Sequence, residues 1–243
     1  MERGRPNLEE FAATLLDLAR TDPDLLIVPS NSRGSGKLTP FAQELPDQVV
    51  EVGIAEQNLV GIAAGLTAGG KHVFAVSPAC FLTARALEQI KNDVAYSDQS
   101  VKLIGISAGV SYGALGTTHH SLHDFAVLRA INNLDVVAPA DNFETRAAIT
   151  AAAAHPRPIY LRFGKKAMPN LHAPDTEFAI GKAITLTAGD DVTFFATGET
   201  VAPAMGAREI LALSGLTCGV ISMHTVKPLD TDAVIRQHGD RGQ

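Results

Sequence analysis

The sequence predicts an α/β protein: a parallel sheet sandwiched by helices, followed by a partial second α/β domain. Short apolar runs of buried-strand type alternate with helix-periodic segments from residue 8 to residue 162. That alternation produces parallel strands covered on both faces. Aromatic residues make up only 5% of the chain, with no Trp, while Ala and Gly are abundant, so elements can approach closely. A length of 243 residues, 46% of them hydrophobic, suffices for one large domain and part of another.

In chain order, Leu8, Phe11, Ala12, Leu15, Leu16 and Ala19 share one face of a helix over 8–20. Thr21-Asp22-Pro23-Asp24 stops it. Residues 25–28 form a continuous apolar run, the pattern of a buried parallel strand. A polar, Gly-containing loop (30–37) and a second strand (49–52) follow. Then come a helix rich in Ala and Gly over 56–68, a strand over 72–76, a helix over 81–96 and a strand over 101–107. Residues 108–120 are Gly-rich and lack a regular pattern. A helix over 121–131, a strand over 135–138, a helix over 142–154 and a strand over 158–162 complete the alternation. The reading gives a first domain over 1–165, a linker over 166–178 and a short second domain over 179–243. The second domain has strands at 192–196 and 217–221 around a helix at 201–213. Such sheets bind ligands beyond the carboxyl ends of their strands, which directs attention to the loops after Val52, Val76, Ser107 and Arg162.

The net charge of -6 offers no basic stripe to phosphodiester backbones, so nucleic acid is not an expected partner. Apolar stretches end well short of the ~20 residues that span a bilayer, so no membrane association is expected. The first sixteen residues carry Glu9 and Glu10 and no apolar core, unlike a signal peptide. Cys80 and Cys218 lie far apart, which builds neither a disulfide framework nor a zinc site. Reduced thiols in a cytoplasmic protein are the expectation.

Four segments carry the chemistry. In Glu51-Val52-Gly53-Ile54-Ala55-Glu56-Gln57-Asn58 a strand ends and an acid opens a close-packed helix, a place the helix dipole also favours for an acid. Phe81 heads the next helix, which carries Arg85, Glu88 and Gln89. The loop Gly113-Ala114-Leu115-Gly116-Thr117-Thr118-His119-His120 is followed closely by His123. Three histidines so close suggest metal, but the loop setting and the lack of nearby Cys argue against it. The fourth segment is the strand Ile159-Tyr160-Leu161-Arg162-Phe163-Gly164.

These segments resemble the pyrimidine-binding domain of the thiamine-diphosphate-dependent transketolase family, over residues 8 to about 165. The chain from 178, including His224-Thr225-Val226-Lys227-Pro228-Leu229, resembles the start of that family's C-terminal domain. The resemblance implies that Glu56 contacts N1′ of the aminopyrimidine and promotes loss of the thiazolium C2 proton. Donating a proton near neutral pH requires a carboxyl in apolar surroundings, expected here from Ile54, Ala55, Leu59 and Val60. It also implies that Phe81 packs on the pyrimidine ring, with Ile54 as a further cofactor contact. His119 matches the histidine that faces the reacting end of the substrate, where it hydrogen-bonds or moves a proton. His120 is the next substrate-facing candidate, and His123 is read as structural. Arg162 matches the arginine that grips a substrate phosphate through its fork. An arginine paired with a protein carboxylate is an equal reading of that residue. Arg85, Glu88 and Gln89 are expected to fix helix and subunit contacts.

The family's Gly-Asp-Gly motif and downstream Asn, which hold Mg²⁺ and the cofactor diphosphate, have no counterpart here, and Gly239-Asp240-Arg241 is not one. No metal ligand is therefore assigned to this chain. The resemblance implies a split enzyme whose partner, an N-terminal transketolase subunit, carries the diphosphate-binding domain, in an α₂β₂ assembly. The implied reaction moves a two-carbon ketol unit from a ketose or ketose phosphate to an aldehyde acceptor. Leu115 takes the place of a usual aspartate, Ser107 that of a substrate-facing histidine, and Ser30-Asn31-Ser32-Arg33 that of an acidic stretch. Losing a hydroxyl's partner weakens selection for that hydroxyl, so a donor or acceptor outside the usual pentose and hexose phosphates is expected. Deoxyxylulose-phosphate synthase and the β-subunit of 2-oxoacid dehydrogenases share the glutamate. Thr118-His119 and the Arg162 strand favour transketolase. A non-catalytic assembly subunit would need neither Glu56 nor Phe81.

Overall fold

A computed structural model describes residues 2–173 and 175–239. Asp240 and Arg241 of the tripeptide discussed above lie outside the described residues. The chain starts with β1 (Arg3–Pro6) and α1 (Asn7–Ala19), then β2 (Leu25–Pro29), α2 (Thr39–Glu44) and α3 (Glu56–Ala68). Next come β3 (His72–Pro78), α4 (Ala79–Arg85), α5 (Leu87–Gln89) and β4 (Lys102–Ile106). They are followed by α6 (Asp124–Arg129), β5 (Asp135–Val137), α7 (Asn142–Ala154), β6 (Ile159–Phe163) and β7 (Ala167–Pro169). The last part holds β8 (Ile184–Thr187), β9 (Val192–Ala196), α8 (Val201–Ala212), β10 (Cys218–Ser222), β11 (Thr225–Lys227) and α9 (Thr231–Gly239).

The central sheet runs β11-β5-β6-β4-β3-β2. Five of its strands are parallel, and β11 is antiparallel at one edge. All five residues of β2 and of β4 are buried, because each strand face meets helices. Successive residues serve opposite cores: Ile27, Phe74, Ile104 and Leu161 face α1 and α7. Val28, Val73, Leu103 and Tyr160 face α3 and the α4 region. Burying each such side chain contributes about 1.5–3 kcal/mol. Gly105 is needed in β4, since a Cβ there would lie 2.2 Å from the Tyr160 hydroxyl.

The structure differs from the sequence reading in several places. Residues 49–52 are not a strand. Val50 and Val52 donate to the Ile27 and Pro29 carbonyls and run beside β2 with a single isolated bridge. The helix expected over 81–96 starts at Ala79 and is interrupted at Ala86 (φ -105, ψ 19), then continues through α5 into wide π-type turns over Ile90–Tyr96. The helix expected over 121–131 is shortened to Asp124–Arg129. The segment read as a linker contains β7, which pairs antiparallel with β1. Beyond it lies a three-stranded sheet, β8-β10-β9. Its chain then returns, through β11, to the free edge of β5, so the two units share hydrogen bonds. Among the described residues no helix is long and apolar enough to cross a membrane.

A sealed polar cluster joins the two units. Asp141 caps α7 by accepting the Glu144 N–H at 3.0 Å. His172, with a fully buried side chain, places Nδ1 2.9 Å from Asp141 and Nε2 3.1 Å from Glu144. The second contact is an ion pair and not a well-aligned hydrogen bond. Glu144 also accepts the Ser222 hydroxyl at 2.6 Å and the Ala140 N–H at 2.7 Å. Burial alone would lower the His172 pKa, but the two carboxylates outweigh it and push it up to about 9. Phe143 stacks on the ring at 5.1 Å.

Candidate active site

The chemistry-bearing residues gather at the carboxyl edge of the central sheet. Gly53, at φ +69, turns the chain out of the segment beside β2, and Glu56 then opens α3 with 4% of its surface exposed. Leu59 and Val60 lie fully buried in the core behind it, but Ile54 is 72% exposed and does not shield the acid. The carboxylate is not in an apolar niche. The Arg85 guanidinium donates to both of its oxygens, at 3.0 and 3.2 Å. The apolar surroundings expected of this acid are therefore corrected: a guanidinium holds both of its oxygens. Arg85, expected to fix helix and subunit contacts, joins α4 to α3 through Glu56.

From Arg85 a row of rings and cations crosses the edge of the sheet. Its guanidinium carbon lies 4.2 Å from the centroid of half-buried Phe81. Phe81 meets His119 edge-on at 5.1 Å, and His119 meets Tyr112 in the same way at 5.2 Å. Lys165 Nζ sits 3.8 Å above the Tyr112 ring, an attraction of the cation–π type. Burial and then the neighbouring Lys37 lower the Lys165 pKa. Thr118 Oγ1 lies 3.0 Å from His119 Nδ1, so the ring offers Nε2 to a ligand.

Two of the assigned substrate contacts have other partners. His120 Nε2 donates to the Gly113 carbonyl at 3.0 Å and ties down the base of its own loop. Arg162 donates from Nε to Asp124 at 2.7 Å, reaches the Ser121 carbonyl and lies 4.4 Å above the Phe125 ring. Asp124, 1% exposed, also accepts the Tyr160 hydroxyl at 3.0 Å. A phosphate would have to compete with this buried carboxylate, and of the two readings of Arg162 the structure shows the pairing with a protein carboxylate. His123, 3.1 Å from Thr83 Oγ1, holds α4 to the start of α6.

The positions that depart from the family pattern separate. Leu115 is exposed on the loop (56%). Ser107 is fully buried just after β4 with φ +56. A non-glycine residue held there is strained, as is common near functional sites. Lys165 and Glu199 escape the sequence reading, which names Arg85 but not its pairing with Glu56. Glu199, from the second unit, fills the space beside Gly164, where a Cβ would meet its carboxylate at 1.7 Å. The pattern of charges at a helix end and after a strand flags Arg85 and Lys165, but nothing local in the sequence brings Glu199 to β6. Among the described residues no group of three or more His, Cys, Asp or Glu side chains is placed to hold a metal ion.

Residues 8–170 match the family profile of the transketolase pyrimidine binding domain, and residues 181–241 that of the transketolase C-terminal domain. An apulose-4-phosphate transketolase subunit of Phocaeicola vulgatus is 48% identical over 236 residues, covering 97% of this chain and 76% of that protein. The 6-deoxy-6-sulfo-D-fructose transketolase subunit SqwH of a Clostridium species is 36% identical over 228 residues, covering 94% and 71%. Among solved structures, a split gene transketolase described as an inactive beta4 tetramer superposes with a TM-score of 0.88 at 33% identity, covering 97% of this chain and 77% of that one.

Proposed function

The chain belongs to the transketolase family, and from that premise we propose that it supplies the pyrimidine-side half of a thiamine-diphosphate site completed by a partner subunit. The observation that carries this reading is the meeting of a buried carboxylate, Glu56, with an aromatic face, Phe81, across a single flat cationic group. An aminopyrimidine asks for those two contacts, a ring to stack on and an acid at N1′. The Arg85 guanidinium that satisfies both here stands in for such a ring, so the residues fit the group.

When bound, the cofactor supplies the carbon that accepts the two-carbon unit. Glu56 holds a proton at the pyrimidine N1′, and Phe81 seats the ring. His119 Nε2 moves a proton at the substrate's oxygen atoms. Lys165 lies at the far end of the row and, unlike Arg162, is paired with no carboxylate among the described residues. It takes the anionic group of the substrate. The named substrates of both relatives carry such a group, a phosphate in one and a sulfonate in the other. A ketose donor bearing such an anionic group and an aldehyde acceptor follow, with the apulose 4-phosphate named for the more similar relative as the first donor to assay. The Mg²⁺ and diphosphate are assigned to the partner, in a cytoplasmic α₂β₂ complex.

The test is calorimetric titration of thiamine diphosphate with Mg²⁺ into this chain alone and into its mixture with the partner subunit. Binding in the mixture only, followed by ketol transfer from a phosphorylated ketose, is expected. Tight binding to the isolated chain would overturn the division of labour.

A further inference from the structure

The two groups that define the pyrimidine site are occupied in this structure by one side chain of the same protein. Arg85 covers Phe81 at 4.2 Å and donates to both oxygens of Glu56. Because one guanidinium makes both contacts, the face of Phe81 that it covers is the face turned toward the carboxylate. A guanidinium is flat, cationic and donor-bearing. A pyrimidine with a proton at N1′ presents the same three properties. The two cannot share the layer above Phe81, since a stacked ring fills the space in which the guanidinium lies.

We propose that Arg85 is an internal stand-in for the cofactor ring. It holds Glu56 and Phe81 in their working positions in the unloaded subunit and turns out to solvent when the ring arrives. The inference rests on the cofactor reading given above. Three features support the exchange. The Arg85 side chain is 50% exposed while Glu56 is 4% exposed, so the mobile partner is the one already half in water. Arg85 ends α4, and the next residue, Ala86, leaves helical geometry, which frees the side chain's root. Glu56 and Arg85 themselves line an open cleft of about 450 Å³ with Ile54, Ala55, Gln57 and Asn58, room within which the guanidinium can move. A half-exposed arginine gives up its ion pair at little cost, whereas a buried carboxylate left without any partner is expensive. The stand-in keeps Glu56 paired at every stage.

The experiment measures the affinity of the assembled two-subunit complex for thiamine diphosphate with Mg²⁺, for the wild type, Arg85→Ala and Arg85→Lys. Removing the competitor should tighten binding roughly three- to tenfold in Arg85→Ala. Arg85→Lys should fall between, since an amine pairs with Glu56 but does not lie flat on Phe81. Unchanged or weaker binding by Arg85→Ala, at an unchanged melting temperature, overturns the proposal and makes Arg85 a fixed support of the acid. If the Ala variant does not assemble, the crystal structure of the loaded wild-type complex decides. A guanidinium in solvent supports the exchange, and one still on Phe81 overturns it. Failure of the wild-type complex to bind the cofactor strikes the functional reading, not this one.

Discussion

Glu56 and Glu144 are almost equally hidden from water, at 4% and 0% exposure, yet their partners differ in kind. Glu144 is held by His172, the Ser222 hydroxyl and the Ala140 N–H, all inside the protein. Glu56 is held by one arginine that is half in solvent. The first arrangement is closed, because no ligand can replace a partner without opening the core. The second is open to exchange. Burial of an acid therefore does not mark a reactive site by itself. The mark is a buried acid whose one side-chain partner among the described residues can leave.

The largest effect expected from this contrast is on turnover. Glu56→Gln should lower kcat for ketol transfer by roughly 10²–10⁴-fold, the range for losing a positioned acid–base group, with little change in melting temperature. Equal activity in the assembled variant would erase the distinction between the two acids. Glu144→Ala should do the reverse. Removing it takes one of two carboxylates from His172 and leaves the Ser222 hydroxyl and the Ala140 N–H without their acceptor, which costs about 3–5 kcal/mol in urea unfolding, while molecules that remain folded keep their activity. Lys165→Ala tests the far end of the open site. It should raise KM for a phosphorylated donor about tenfold, as for a lost charge-assisted hydrogen bond, and leave kcat near its original value. An unchanged KM would remove Lys165 from the substrate contacts.

The smallest expected effect is on pH dependence. The folded-state pKa of His172 is raised to about 9 from 6.5, so between those values the folded chain binds more protons than the unfolded one. Its contribution to stability is complete below about pH 6.5 and is lost as pH rises through about 9. Melting temperature should fall by several degrees over that window in the wild type, and the fall should flatten in His172→Gln.

Much of the open site was legible because it is local. The segment around Glu56, the ring of Phe81 and the loop before His119 each carry their pattern within about a dozen residues, and the structure gathers them at one sheet edge. The alternation of runs gave α1, α3, α7 and the five parallel strands closely, since buried parallel strands and amphipathic helices leave strong periodic signals. What could not be read depends on distance. Arg162 looks like a free cation in its strand, and only the fold brings Asp124 beneath it. The partnership of Glu56 with Arg85 links residues on different helices. β1, β7 and β11 are three or four residues long, too short for periodicity, and exist because each finds an edge to pair with. The Asp141–Glu144–His172 cluster was passed over because His172 lies in a segment with no regular pattern.

The return of β11 to β5 has a consequence for how the molecule is made. During synthesis β5 is complete when Val137 has emerged, but the strand that covers its outer edge, pairing Thr225 with Val137, comes roughly 90 residues later. At ~5–20 residues per second that is a delay of about 5–20 seconds. Through that interval the nascent chain presents an unpaired strand edge of the kind that templates aggregation. One strand of what the sequence reading assigns to the second domain, β11, is therefore the last edge of the first domain's sheet, and the ribosome delivers it late.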